Sequence, residues 1–123
     1  MSTIDKGKAA ELMVAGYLRK NGCIIAKMNY RSRYGEIDIV AETQNMVIFV
    51  EVKLRGDNSM VSPAEAVDRH KQRRIMLTAQ DFIAKAHVEQ LIPRFDVAQV
   101  YEEEMPNGNS KMRIHYIKNA FGM

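Results

Sequence analysis

A mixed α/β domain, with one sheet and helices packed on it, is the fold that this 123-residue sequence predicts. Three features point there. The elements read in the order αβββαββ, which is a one-sheet plan. Residues 46–50 (MVIFV) are apolar on both strand faces, as a central strand covered by helices on each side requires. Ser62-Pro63-Ala64-Glu65 is a helix-start signal between the third and fourth strands.

Residues 3–21 read as the first helix. Ala9, Ala10, Leu12, Met13, Ala15 and Leu18 are good helix formers, and Asn21-Gly22 supplies a stop. Residues 24–31 (IIAKMNYR) suit a first strand. Residues 35–43 and 46–54 suit the next two, joined by the turn-like Thr43-Gln44-Asn45 as an antiparallel hairpin. Residues 55–62 read as a loop. With Ser62 as N-cap, Pro63 in the first helical position and Glu65 closing a capping box, a second helix is expected to run to about Ala86. Its inner stripe is Ala64, Val67, Ile75, Phe82 and Ala86. Residues 95–101 and 112–117 are the last strands, separated by a Pro106-Asn107-Gly108 turn. No repeat, low-complexity segment or linker interrupts the chain, so residues 1–123 read as a single domain.

Apolar residues make up 46% and charged residues 27%, which excludes a disordered chain. The longest clean apolar run is far too short to span a bilayer, and MSTIDKGKAAEL has no signal-peptide core. The single Cys23 excludes an internal disulfide and a cysteine-rich zinc site. A cytoplasmic protein without a membrane is the expectation. The net charge of +3 does not by itself establish a nucleic-acid partner. Its distribution says more, because Arg31, Arg33, Lys53, Arg55, Lys71 and their neighbours crowd the middle of the chain.

Strand side chains alternate, so Phe49, Glu51 and Lys53 share one side while Val50 and Val52 point to the other. Glu51 and Lys53 therefore emerge at the end of a largely buried strand, and Asp38 emerges from its hairpin partner. A buried carboxylate needs a cation, a metal or solvent. Asp38, Glu51 and the Val52 carbonyl suit a hard divalent cation, Mg²⁺ or Mn²⁺, which prefers oxygen ligands. Such an ion polarises a phosphate oxygen and acidifies a water, and Lys53 beside it could orient that water or stabilise developing charge. This is phosphodiester-hydrolysis chemistry. E-x-K alone is common in strands and favours a cross-strand ion pair on a solvated face; the acid on the preceding strand and the arginine-rich lead-in shift the balance toward a site.

Asp38 followed by Glu51-Val52-Lys53 resembles the PD-(D/E)xK nuclease superfamily, with Ile37 where that label has proline. More closely, the chain resembles the YraN-like family of small bacterial proteins. The shared features are Ala10-Glu11, Asn29-Tyr30-Arg31, Gly35-Glu36-Ile37-Asp38, Phe49-Val50-Glu51-Val52-Lys53, Lys71 and Arg94-Phe95-Asp96. The resemblance implies a restriction-endonuclease-like αβββαβ core. It also implies that Asp38 and Glu51 are metal ligands and Lys53 the catalytic lysine.

Other residues are candidates around this centre. Glu11 lies on a largely apolar strip of the first helix, and the resemblance gives that helix a further carboxylate over the metal. Otherwise Glu11 sits in water at the helix edge. Glu36 either adds charge to the cleft or pairs with Arg31 or Arg33. Lys71 falls on the inner stripe of the second helix and is read as a phosphate contact, with Gln72 as the neighbouring alternative. Arg69, Arg73 and Arg74 read as a solvated face. Arg31, Arg33 and Tyr34 could hold a backbone phosphate and stack a base, or form a plain loop. Asp96 is read as structurally paired, with Arg94 its candidate partner, and the histidines lack ligand spacing. The leading expectation is a metal-dependent endonuclease acting on DNA rather than RNA, including branched or damaged forms. The rival is a binding or scaffold module on the same fold. A homodimer would suit cutting of both strands, though no residue demands one.

Overall fold

The computed structural model describes residues 3–56 and 61–122. Helix α1 (Thr3–Lys20) is followed by β1 (Ile24–Ser32), β2 (Gly35–Glu42) and β3 (Met46–Arg55). Then come α2 (Pro63–Ala66), α3 (Arg69–Ala86), β4 (Ile92–Glu104) and β5 (Ser110–Phe121). The five strands form one sheet in chain order. Only β3 and β4 run parallel, because the helical segment between them carries the chain back across the sheet. The α/β class, the mixed sheet and the antiparallel hairpin at residues 43–45 are as the sequence predicts. Among the described residues, no helix is long and apolar enough to cross a membrane.

The central position of β3 explains its two apolar faces. Val47 and Phe49 pack with Ile37, Ile75, Phe82 and Phe95 in a core beneath α3. Ile48 and Val50 pack with Val14, Leu18, Ile39 and Ala98 beneath α1. The end of α1 is a Schellman turn: Gly22 takes φ +88°, and Cys23 N–H bonds the Leu18 carbonyl at 3.0 Å.

The expected second helix is broken in two. Ser62 does start it, its hydroxyl accepting the Glu65 N–H at 3.3 Å, but α2 ends after one turn. Asp68 takes extended backbone angles and its carboxylate accepts the Lys71 N–H at 2.8 Å, capping α3 anew. An aspartate is a better cap than a helix-interior residue, and the apolar stripe running through it hides the break in the sequence. Gln72 Nε2 donates to the Val67 carbonyl left open at this break, at 2.8 Å. Most of the expected 55–62 loop, residues 57–60, lies outside the described residues, as does the side chain of Ala64. Arg55 belongs to β3. Asp96 is fully buried and bound bidentately by Arg94, the partner anticipated, with Tyr116 and the Asn119 N–H completing its shell.

Candidate functional site

The β2–β3 ladder runs only from Glu42 opposite Val47 to Ile39 opposite Val50. Beyond it β2 stays paired with β1 as far as Gly35, so a seam opens between β2 and β3. Continuing the register would set Val52 opposite Ile37. Instead the Val52 N–H donates to Asp38 Oδ2 at 2.8 Å, so a side chain has replaced the ladder partner. The Val52 carbonyl lies on the same side of its strand as the N–H, toward the seam.

Asp38 reaches the seam because strand alternation fails there. Ile37 belongs to the core beneath α3 and Ile39 to the core beneath α1, although residues two apart should share a face. The paired strand β1 switches at the matching point, with Tyr30 on the α3 side and Met28 on the α1 side. Between them Asn29 has φ +52°, a conformation in which asparagine is among the least strained non-glycine residues.

Glu51 lies on the α3 side and is only 5% exposed. Its Oε2 forms ion pairs with Lys71 Nζ and, at 3.6 Å, with Lys53 Nζ. Burial, followed by hydrogen bonding to Glu51 and the Glu51 charge, pushes the Asp38 carboxyl up to about 8. The Val52 N–H opposes this and Glu11 adds to it. Two carboxylates facing each other in a part-dry seam cannot both ionise freely. The two lysines diverge. Burial, then the neighbouring Lys71, lowers the Lys53 pKa against the pull of Glu51. Burial is the largest influence on Lys71 and works against its charge, but the bonds to Glu51 and Lys53 and the charges of Glu51 and Asp38 together outweigh it and the net shift is upward.

These groups open into a cleft of about 270 Å³, lined by Gly35, Glu36, Asp38, Glu51, Lys71, Arg74 and Ile75. A second recess of about 370 Å³ shares Gly35 and Glu36 with it and continues along residues 31–34. On its rim the Arg33 guanidinium lies 4.9 Å from the Tyr34 ring centroid and donates to the Tyr34 hydroxyl at 2.7 Å. Arg31, 78% exposed, pairs with Glu36 at 3.1 Å. Glu36 thus both borders the cleft and pairs with an arginine.

Glu11 comes to the α1 side of the same seam. Asn29 Nδ2 donates to Glu11 Oε1 at 3.0 Å and to Glu36 Oε1 at 3.3 Å. Asp38, Glu51, Lys53, Lys71 and, through Asn29, Glu11 are therefore assembled in one place. Gln72 is not. It is committed to the Val67 carbonyl and faces a separate recess with Arg69, Arg73 and Met76. Arg74, read from sequence as part of a solvated face, is exposed but borders the cleft, next to Ile75 on the inner stripe. Asn29 carries the weakest sequence signal, a single polar residue in the strand IIAKMNYR. Among the described residues, no three His, Cys, Asp or Glu side chains gather as a ready metal site. Asp38, Glu51 and the Val52 carbonyl are oxygen donors at the seam, with Glu36 and Glu11 on its borders.

Comparisons with known proteins agree with the motifs. The family model described as uncharacterised protein family UPF0102 matches residues 10–100. The UPF0102 protein of Caldanaerobacter subterraneus subsp. tengcongensis is 40% identical over 115 residues, covering 94% of this chain and 93% of that one. The UPF0102 protein of Desulforapulum autotrophicum is 43% identical over 115 residues, covering 94% and 91%. Among solved structures, Pyrococcus furiosus SfsA in complex with Ca²⁺ aligns with 95% of this chain and 64% of that chain, at 17% identity and a TM-score of 0.36. This chain thus spans less than two thirds of that protein, and a likeness at that score carries no argument. The match over residues 10–100 and relatives of 40% identity and above along nearly the full length are decisive: the chain belongs to the UPF0102 family, the YraN-like proteins that its motifs resemble.

Proposed function

We propose that this protein is a metal-dependent phosphodiesterase acting on DNA. One observation carries the reading: two acids face each other across a seam where the sheet gives up its ladder, with two lysines converging on one of them. A carboxyl pushed up to about 8, first by burial and then by its acidic neighbour, fits a site short of positive charge between its oxygens. The donor set is all oxygen, which fits Mg²⁺ or Mn²⁺. Asp38, Glu51 and the Val52 carbonyl are the groups that would hold it. Bound there, the ion would supply a polarised phosphate oxygen and a water of lowered pKa.

The chain's own residues divide the remaining work. Lys53, its proton held less firmly than an ordinary lysine's, is placed beside Glu51 to orient the attacking water and meet developing charge. Lys71 remains cationic and, with Arg74, faces the cleft where a phosphate would enter. Arg31, Arg33 and Tyr34 line the adjoining recess, which suits a neighbouring phosphate and base. The test is calorimetry with Mn²⁺ beside cleavage of branched and single-stranded DNA. Wild type should bind weakly and cut, and Asp38→Asn with Glu51→Gln should do neither. Equal Mn²⁺ affinity in the double variant would refute the reading. DNA binding without cleavage by the wild type would leave a binding module.

A further inference from the structure

We propose that Asn29 is a positioning residue for the metal cleft, an inference that rests on the metal-site reading above. Two independent features meet in this one side chain. Its backbone, at φ +52° in the middle of a strand, turns β1 over between Met28 and Tyr30. Because Met28 pairs with Ile39 and Tyr30 with Ile37, the turn in β1 matches the turn in β2 that frees Asp38 from the sheet face. Its amide then uses both hydrogens, one toward Glu11 of α1 and one toward Glu36 of β2.

Without this amide Glu11 and Glu36 would face each other as like charges, with Glu36 held by its pairing with the exposed Arg31. The amide offers each a neutral donor and keeps both carboxylates at the seam, where their charge favours a divalent ion. Partners of this kind, one bond removed from the ligands, typically change metal affinity by about ten- to a hundredfold when lost. Aspartate at this position would accept the same backbone but reverse the polarity of both contacts. Glycine would accept the backbone without strain and remove the contacts only.

Asn29→Gly therefore separates positioning from folding. We expect its melting temperature to match that of the wild type, its Mn²⁺ affinity by calorimetry to fall about tenfold, and kcat to fall while KM for DNA holds. In the metal-free wild type, one side-chain amide proton of Asn29 should shift in NMR spectra on Glu11→Gln and the other on Glu36→Gln. Wild-type Mn²⁺ affinity in Asn29→Gly, or amide protons that ignore both substitutions, would overturn the role while leaving the Asp38–Glu51 site standing. A wild type that binds no Mn²⁺ would overturn the site and this role with it.

Discussion

Asp38→Asn should make the metal-free protein more stable while ending its response to metal. The carboxyl of Asp38 is raised from 3.8 to about 8 in the folded chain. Below pH 4 the group is protonated in both the folded and unfolded states, and its contribution is complete. As pH rises toward 8 the unfolded chain ionises while the folded chain keeps its proton, so stability is lost at about 1.4 kcal/mol per pH unit. Between 3.8 and neutrality the ceiling is about 4 kcal/mol, and water entering the open cleft reduces it to about 2 kcal/mol. The amide of the variant keeps an oxygen for the Val52 N–H and sits opposite Glu51 without needing a proton. Urea unfolding in EDTA at pH 5, 6, 7 and 8 measures both proteins. The wild type should weaken across this window and the variant should lack that part of the slope, ending about 2 kcal/mol ahead at pH 7. Parallel slopes, or a variant weaker than the wild type at pH 7, would show Asp38 to be an ordinary ionised partner of the lysines. The acids would then serve stability, not chemistry.

Lys53→Ala should reduce Mn²⁺-dependent cleavage by about a hundredfold or more, with DNA affinity, Mn²⁺ affinity and melting temperature little changed on the same preparation. A loss of several degrees would instead identify Lys53 as the counter-charge of a buried Glu51. Replacing Arg31 and Arg33 together should weaken binding to unrelated DNA sequences by similar factors. It should also lower the salt slope seen by fluorescence anisotropy by about 1.5. Binding indifferent to salt would remove the phosphate-contact role of this rim.

Much of the site was legible because β3 obeys a simple period. Residues 46–50 are apolar at every position, so Glu51 and Lys53 had to share the side of Phe49, and the structure places them so. The hairpin turn at residues 43–45 then fixed which strand would bring Asp38 near them. Lys71 was legible for the same reason, as a charge on an apolar stripe. What stayed hidden were departures from periodicity. Asp68 breaks the second helix while the apolar stripe runs on through it, and that break takes Gln72 away from the cleft. Asn29 and Asp38 each turn a strand over, and a period of two has no place for either event. No residue preference marks them strongly, since the left-handed region only mildly favours asparagine over its neighbours.

Two of these departures, at Asn29 and Asp38, share one location, which supports the functional reading proposed above. A left-handed asparagine, a missing run of ladder bonds and a carboxyl pushed up to about 8 each cost stability, and each is avoidable by a conservative change of sequence. The chain has a second left-handed asparagine, Asn119 in β5, and there the backbone N–H serves a buried acid. That acid, Asp96, has every oxygen satisfied by Arg94, Tyr116 and the Asn119 N–H. The contrast supports the proposed site reading of Glu51 over a purely structural ion pair. A structural ion pair would be finished in the manner of Asp96, with aligned donors on each oxygen. Glu51 Oε2 instead meets two lysines, Lys71 and Lys53, and its neighbour Asp38 is pushed toward neutrality. An acid pair beside a lysine whose own charge has been weakened fits the proposed ligand, one that would supply a cation and bring a phosphate with it.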